Sequence, residues 1–170
     1  MSTPSTRVTL RPLTAGDREE FTGRVTASSG LLRPWAVLPG TSEEFDAYLE
    51  RFDGEAARCL LVCLRETGAI AATISLSDIR RGPYQRATVG YSAFLPHARR
   101  GYLSEGLGLA IWYAFGDLKL HRLEADIQPA NRASLEFIRK AGFRREGYSP
   151  GLVYINGAWR DHERWALTAG

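Results

Sequence analysis

The sequence predicts a single mixed α+β domain spanning residues 1–170, and three patterns carry that expectation. Two apolar, strand-like runs at 58–65 and 69–77 are joined by a turn at Glu66-Thr67-Gly68, which suits antiparallel pairing. A helical stripe over 104–118 is followed by a strand-like run at 121–128, which suits a parallel crossover. Near the end, Asn156-Gly157 sits between two further runs and marks a hairpin.

Residues 7–13 alternate in polarity and form a first strand, stopped near Pro12. Thr14 and Asp17 open a helix that runs to about residue 27. The stretch 28–40 is rich in Gly, Pro and small residues and reads as a long loop. Thr41-Ser42-Glu43-Glu44 has the form of a capped helix entry, and that helix ends near Asp53-Gly54. After the strands at 58–65 and 69–77 come a polar loop, 78–85, and another strand, 86–95. In the helix at 104–118, Leu107, Ile111, Ala114, Phe115 and Leu118 form the apolar stripe. A helix at 131–141 follows the strand at 121–128 and is closed by Gly142. Residues 143–146 begin a further strand, and 152–155 with 159–167 make the closing hairpin. The order is β-α-α-β-β-β-α-β-α-β-β, with no internal repeat, low-complexity tract or linker.

A chain of this length can bury roughly two-thirds of its unfolded surface, enough for stability without disulfides or metals. No apolar run approaches the ~20 residues needed to cross a bilayer. Residues 1–6 are polar and lack a signal-type apolar stretch, so the expected setting is cytoplasmic, with no membrane partner. Net charge is +3, from 22 basic and 19 acidic residues. That permits anionic ligands but does not call for nucleic acid. On a strand, Cys59 and Cys63 lie about 13 Å apart on one face, beyond disulfide reach. Histidines 97, 121 and 162 complete no metal-ligating cluster, so buried, inert thiols and no metal are expected.

The stretch richest in chemistry is Arg99-Arg100-Gly101-Tyr102-Leu103-Ser104-Glu105-Gly106, between a strand and a helix. The first turn of a helix has unpaired N–H groups and the positive end of the macrodipole. Arginines add charge, and Gly101 lets the backbone approach an anion closely. The segment therefore forms either a phosphate cradle or a plain surface turn with solvated arginines. Neither a Walker A motif nor G-x-G-x-x-G is present.

Six stretches in order decide between these: LRPW (32–35), VGYS (89–92), RRGYLSEGL (99–107), HRLEADIQPANRAS (121–134), KAGFRREGY (140–148) and INGAWRDH (155–162). Together they resemble the GNAT superfamily, and within it the RimJ/RimL-like ribosomal-protein N-terminal acetyltransferases. The resemblance implies a mostly antiparallel sheet, flanked by helices, that splays open after the VGYS strand. It implies acetyl-CoA as cosubstrate, its pantetheine arm paired with backbone at Ala93, Phe94 and Leu95. The pyrophosphate would lie on Arg99, Arg100, Gly101, Tyr102, Leu103 and Ser104. The superfamily pattern Q/R-x-x-G-x-G/A is not fully kept: Ala98 stands at the Q/R position and Leu103 at a small-residue position. A cradle of backbone amides does not need those side chains.

By the same resemblance, Asn131 contacts the pantetheine or a water near it, and Ser134 approaches the thioester sulfur. A serine hydroxyl there can hydrogen-bond or protonate the departing thiolate; Asn131 and Ser134 equally suit a helix cap. Phe137 and Lys140 are expected further along CoA, though Phe137 also suits the core. An N–H near Phe94 or Leu95 is the expected oxyanion donor. Many relatives carry Glu two residues before the Gly-Tyr pair; Thr88 stands there, so no carboxylate base is assigned. Asn131, Tyr91 or backbone carbonyls could relay the proton through water. Glu105 is either a base or a complement to its helix dipole. Glu124 and Asp126 share one strand face and either border the acceptor or form a solvated, salt-bridged face. His162 either titrates at the site or, with Asp161, steadies the last hairpin.

On the acceptor side, Trp35 is either an entrance residue or a loop anchor, while Arg80 and Arg81 are either acceptor contacts or solvated charges. Relatives often have Asp-Tyr where Gly151-Leu152 stands here, which bears on specificity. The acceptor expected is an N-terminal α-amine of a ribosomal or other protein, by direct attack on the thioester. A small amine or aminoacylated antibiotic is the alternative acceptor, and a noncatalytic acyl-CoA-binding module the alternative class. Either a monomer or a homodimer is compatible with this reading.

Overall fold

The computed structural model describes residues 7–170, so the polar stretch at 1–6 lies outside the described residues. Seven strands form one sheet: β1 (Val8–Pro12), β2 (Arg58–Leu64), β3 (Ile70–Arg80), β4 (Arg86–Ala93), β5 (Arg122–Ile127), β6 (Arg144–Ile155) and β7 (Ala158–Thr168). Their spatial order is β1-β2-β3-β4-β5-β7-β6. Every neighbouring pair is antiparallel except β4 and β5, which are parallel as a crossover through a helix requires. The α-helices are α1 (Arg18–Ala27), α2 (Ser29–Leu32), α3 (Ser42–Glu50), α4 (Tyr102–Gly116) and α5 (Arg132–Lys140), and a single 3-10 turn at Ala15–Asp17 leads into α1.

The helices start where local chemistry starts them. Thr41 accepts the Glu44 N–H at 3.2 Å, and the Glu44 carboxylate accepts the Gly40 N–H at 3.0 Å, which fixes the entry to α3. Asn131 accepts the Ser134 N–H at 3.3 Å and caps α5. Gly101 stands at the head of α4 with φ +83°, a left-handed conformation that favours glycine. Within α4, Gly106, Leu107, Ala110 and Ala114 are buried, a largely small-residue face that brings the helix close to the sheet.

Strand alternation divides the core into two layers. Val62, Ile74, Ala87, Val89, Leu123, Ala125 and Ile127 pack with Leu107, Ala110, Ala114 and Ile138 beneath α4 and α5. Leu61, Ile70 and Phe94 pack with Phe21, Val25, Leu32 and Phe45 beneath α1–α3. Phe21 joins Phe45 and Phe94 edge-on, each at a 5.6 Å centroid separation. Cys59 and Cys63 are free and buried in this second layer, where burial pushes both thiols up in pKa.

Several boundaries differ from the sequence expectation. The loop at 28–40 contains the helical turn α2, because Arg33 N–H still reaches Ser29 O at 3.0 Å. β3 runs on to Arg80 past an irregularity after Ser77, with Asp78 at φ +51°, so part of the expected loop is strand. α4 begins at Tyr102, two residues early. Residues 144–155 form one strand, bulged between Ser149 and Val153, not two.

The feature that matters most is the β4–β5 junction. Only Arg86, Ala87 and Thr88 pair with Arg122, Leu123 and Glu124; beyond Thr88 the two strands part and leave a wedge in the sheet.

Candidate active site

A cavity of about 700 Å³ fills this wedge and passes from one face of the sheet to the other. β4 gives it a polar edge. Phe94 N–H donates to Ala71 O at 2.9 Å, and groups along an antiparallel strand alternate in direction. Phe94, Ser92 and Gly90 therefore direct their main-chain groups to β3. Tyr91 and Ala93 turn theirs toward the wedge, where β5 no longer pairs. Gly90 stands where a Cβ would come 2.8 Å from Ser75 Oγ, so a side chain there would have to turn the serine hydroxyl aside.

On the α4–α5 face, four residues named from the sequence come together. Tyr91 Oη lies 2.7 Å from Ser134 Oγ, Asn131 holds the Ser134 N–H, and Phe137 packs on Tyr91 at 4.9 Å between ring centroids. All four line the cavity. Burial pushes the Tyr91 phenol up to about 12, so it keeps its proton at physiological pH.

Five of the six residues expected to hold pyrophosphate border the cavity, and Arg100 does not. Arg99, Gly101, Tyr102, Leu103 and Ser104 line the cavity, and the earlier helix start makes Tyr102, Leu103 and Ser104 first-turn residues with outward N–H groups. Arg7 braces this turn. Its guanidinium reaches the Glu105 carboxylate and donates to Arg100 O at 2.8 Å, and it lies 4.5 Å over the Tyr102 ring. These bonds from Arg7 hold Glu105 below the usual carboxylate range, so Glu105 ties the turn together and is not placed to act as a base.

The opposite face of the wedge is lined by Leu31, Trp35, Tyr48, Thr73, Ser75 and, from the far strands, Asp126 and His162. Leu123, Ala125 and Ile127 point into the core, so Glu124, Asp126 and Gln128 face this side. Glu124 is paired with Arg86 at 3.1 Å and Arg122 at 2.7 Å. No hydrogen bond or salt bridge engages the Asp126 carboxylate among the described residues. Its carboxylate opens onto the cavity, and the protein packed around it pushes its pKa up. Asp161 does steady the last strands, by accepting from Tyr148 Oη and from Gly151 N–H at 2.8 Å. His162 is buried and turns elsewhere, to the cavity wall.

Other expected residues are not brought to the cavity. Of the three positions proposed for pantetheine, only Ala93 lines it; the Phe94 side chain is wholly buried, and Leu95 N–H is held by buried Ser28 Oγ at 2.9 Å. With both N–H groups engaged, neither is free as the oxyanion donor expected there. Arg100 and Lys140 lie off the cavity wall, and Lys140 is 3.7 Å from Glu136. Arg80 and Arg81 are removed from the acceptor side: Arg81 donates to the carbonyl of Leu118 just beyond α4, and Arg80 stacks on Tyr84. A cation near the carbonyl end of a helix needs no ligand to account for it. Trp35 lines the entrance, and its loop is also tied down, because Asn156 donates to Pro34 O at 3.2 Å.

Comparison with known proteins extends these observations. A family model described as an acetyltransferase (GNAT) domain matches residues 7–144. The probable N-acetyltransferase YjcK of Bacillus subtilis is 31% identical over 166 residues, covering 93% of this chain and 92% of the relative. The [ribosomal protein uS5]-alanine N-acetyltransferase of Escherichia coli is 33% identical over 99 residues, covering 58% of this chain and 51% of the relative. The fold is that of Mycobacterium smegmatis RimJ in complex with CoA-disulfide (TM-score 0.87, 24% identity, 95% of this chain and 82% of that one). It is also that of Vibrio cholerae spermidine N-acetyltransferase in complex with CoA and spermine (TM-score 0.77, 20% identity, 95% of each chain). The match over residues 7–144, on a sheet parted at the same junction that holds the cavity, shows that this chain belongs to the GNAT acetyltransferases, enzymes that use acetyl-CoA.

Proposed function

We propose that the chain transfers an acetyl group from acetyl-CoA to the N-terminal α-amine of a protein, ribosomal proteins being the first candidates, in a cytoplasmic setting. One observation carries the choice of acceptor. On the face where the amine would enter, Asp126 is the one carboxylate in the cavity wall among the described residues, set among Leu31, Trp35, Tyr48 and Ser75. A single carboxylate suits one ammonium group flanked by a short side chain. A polyamine, with several cationic centres, would find no second partner there.

The residues present fit acetyl-CoA. Gln128 Nε2 and His97 Nδ1 are buried, line the cavity and have no partner among the described residues, which is the condition of groups awaiting a ligand. The main-chain groups of Tyr91 and Ala93 would hold the amide portion of the arm. The amides of Gly101–Ser104, with Arg99 beside them, would hold phosphate. When bound, the cosubstrate supplies an activated acetyl group. Ser134, backed by Tyr91, would donate a hydrogen bond to the sulfur as it leaves. Asn131 would keep its capping role and orient Ser134.

An α-amine also asks least of the enzyme. Its ordinary pKa is about 7.7–8.0, against about 10.4 for a lysine side chain, so a useful share is neutral near pH 7. Similarity to a uS5-alanine acetyltransferase points the same way. A small monoamine is the second reading, favoured by the enclosed wall at Trp35 and Tyr48. The test is a peptide bearing one free α-amine and one free lysine, with the modified nitrogen located by fragmentation. Acetyl on the α-amine is expected. Acetyl on the lysine, or turnover of spermidine in preference to every peptide, overturns the reading.

A further inference from the structure

Taking a proton from the incoming amine requires a lone pair on the acceptor side of the wedge, and no carboxylate stands at Thr88. His162 offers one on the acceptor side. Its Nδ1 is 2.9 Å from the carbonyl oxygen of Arg160. A carbonyl can only accept, so Nδ1 carries the hydrogen. In the neutral imidazole that leaves Nε2 without one. The ring is buried, and the residue lines the cavity.

Its surroundings are specific. One step past the Ile127–Glu163 pair, the β5–β7 register sets His162 opposite Gln128, with Asp126 diagonal to it on the same face. Arg164 lies opposite Asp126, and the space for its guanidinium exists because Gly147 on β6 has no side chain; a Cβ there would sit 2.3 Å from Nη2. On β6, His162 is opposite the uncharged Ser149. Glu124 on the same face is taken up by Arg86 and Arg122. Across the wedge, α2 and its following loop present Leu31 and Trp35, and the remaining charged side chain of the wall, Arg99, belongs to the cradle. The other imidazole of the wall, His97, lies edge-on to Tyr102 at the cradle, which leaves Asp126 and His162 as the carboxylate and imidazole that β5 and β7 bring to the wall.

We propose that His162 Nε2 is the proton acceptor for the amine, and that Asp126 holds the same amine as it enters. The amine nitrogen forms the new C–N bond to the acetyl carbon. The C–S bond breaks with its electron pair on sulfur, which Ser134 meets with a hydrogen bond. An ammonium nitrogen gives up two protons. The first goes to His162 before attack and returns to solvent after product leaves. The second, released once the C–N bond has formed, is taken up by the departing thiolate. The inference rests on acetyl transfer itself and not on which amine is the acceptor. The variants are therefore assayed on whichever amine the wild-type chain turns over fastest, so failure of the α-amine reading leaves the comparison intact.

His162→Asn is the informative variant, because an asparagine amide can keep the bond to Arg160 O while lacking Nε2. Its kcat is expected to fall about 10²-fold to 10⁴-fold near neutral pH, with KM for acetyl-CoA little changed. The deficit should narrow as pH rises past the pKa of the acceptor, where bulk water has already removed the proton. Asp126→Asn should act mainly on KM for the amine. An unchanged kcat in His162→Asn, or a deficit that is the same at every pH, overturns the proposal. Should His162→Asn fail to fold, nitrogen NMR of the wild-type imidazole decides. A hydrogen on Nδ1 and none on Nε2 supports the assignment, and the reverse tautomer overturns it.

Discussion

Tyr91 Oη lies 2.7 Å from Ser134 Oγ, a pair in which either hydroxyl can donate. With its pKa pushed up to about 12 by burial, Tyr91 stays protonated and has a hydrogen to give to Ser134 when the thiolate departs. The serine hydrogen is then free to point into the cavity. Ser134→Ala is predicted to lower kcat about 10-fold to 100-fold, with KM for acetyl-CoA little changed. Tyr91→Phe should cost less. The double variant should be no worse than Ser134→Ala, because Tyr91 acts through the serine. Steady-state kinetics on the three variants check this, and additive losses would show two independent contributions.

Gly101 heads α4 at φ +83°, and a Cβ there would come 3.1 Å from Nη2 of Arg7. Gly101→Ala would strain the backbone and push on the residue that braces the cradle. The expected result is a KM for acetyl-CoA raised about 10-fold, equivalent to about 1.4 kcal/mol of binding, with a smaller change in kcat. Titration calorimetry with CoA checks the binding part alone.

Gly106 has a packing reason for its place in a helix. A Cβ there would lie 2.6 Å and 2.9 Å from the two methyl carbons of buried Val62. An exposed helical glycine gains about 1 kcal/mol on replacement by alanine, but Val62 is β-branched and cannot turn aside cheaply. Gly106→Ala is predicted to destabilise by about 1–3 kcal/mol through overpacking. Adding Val62→Ala should recover part of the loss. Urea unfolding of the single and double variants measures it.

Asp17 carries a pH signature. Burial raises its pKa, but bonds from Arg11 at 2.6 and 2.9 Å and from Thr14 N–H at 2.9 Å outweigh burial and leave it below the ordinary value. A carboxylate lowered in the folded state adds stability above its unfolded pKa, and that contribution disappears as pH falls through the folded one. Asp17→Asn should cost about 1–2 kcal/mol near neutral pH. The gap to wild type should close below about pH 4, near the ordinary aspartate value. A gap independent of pH would mean the carboxylate charge is not the cause.

The layout of strands and helices was largely legible, because periodicity reports which face of an element is buried. The glycine-headed turn before α4 was legible too, since Gly101 and the helix after it are local features. Long-range partners were less so. Nothing near Leu95 in the sequence shows that its N–H is held by Ser28, and nothing near Arg81 shows that it donates to Leu118. Asp126 and His162 are separated by most of the last three elements, and their meeting depends on the order β5-β7-β6. The sequence put Glu124 and Asp126 on one strand face, bordering the acceptor or solvated and salt-bridged, and only the neighbouring strands separate the two: Glu124 is salt-bridged and Asp126 lines the cavity. Glu105 looked open to two roles until Arg7, at the far end of the sequence, was found bound to it.

The account is tested most directly by a crystal structure of the chain with CoA and an α-amine peptide. It predicts pantetheine bonded at about 2.7–3.2 Å to the main chain of Tyr91 or Ala93, the sulfur beside Ser134 Oγ, and the peptide amine between Asp126 and His162. CoA lying outside the β4–β5 wedge, or an amine approaching from the α4–α5 face, would contradict it.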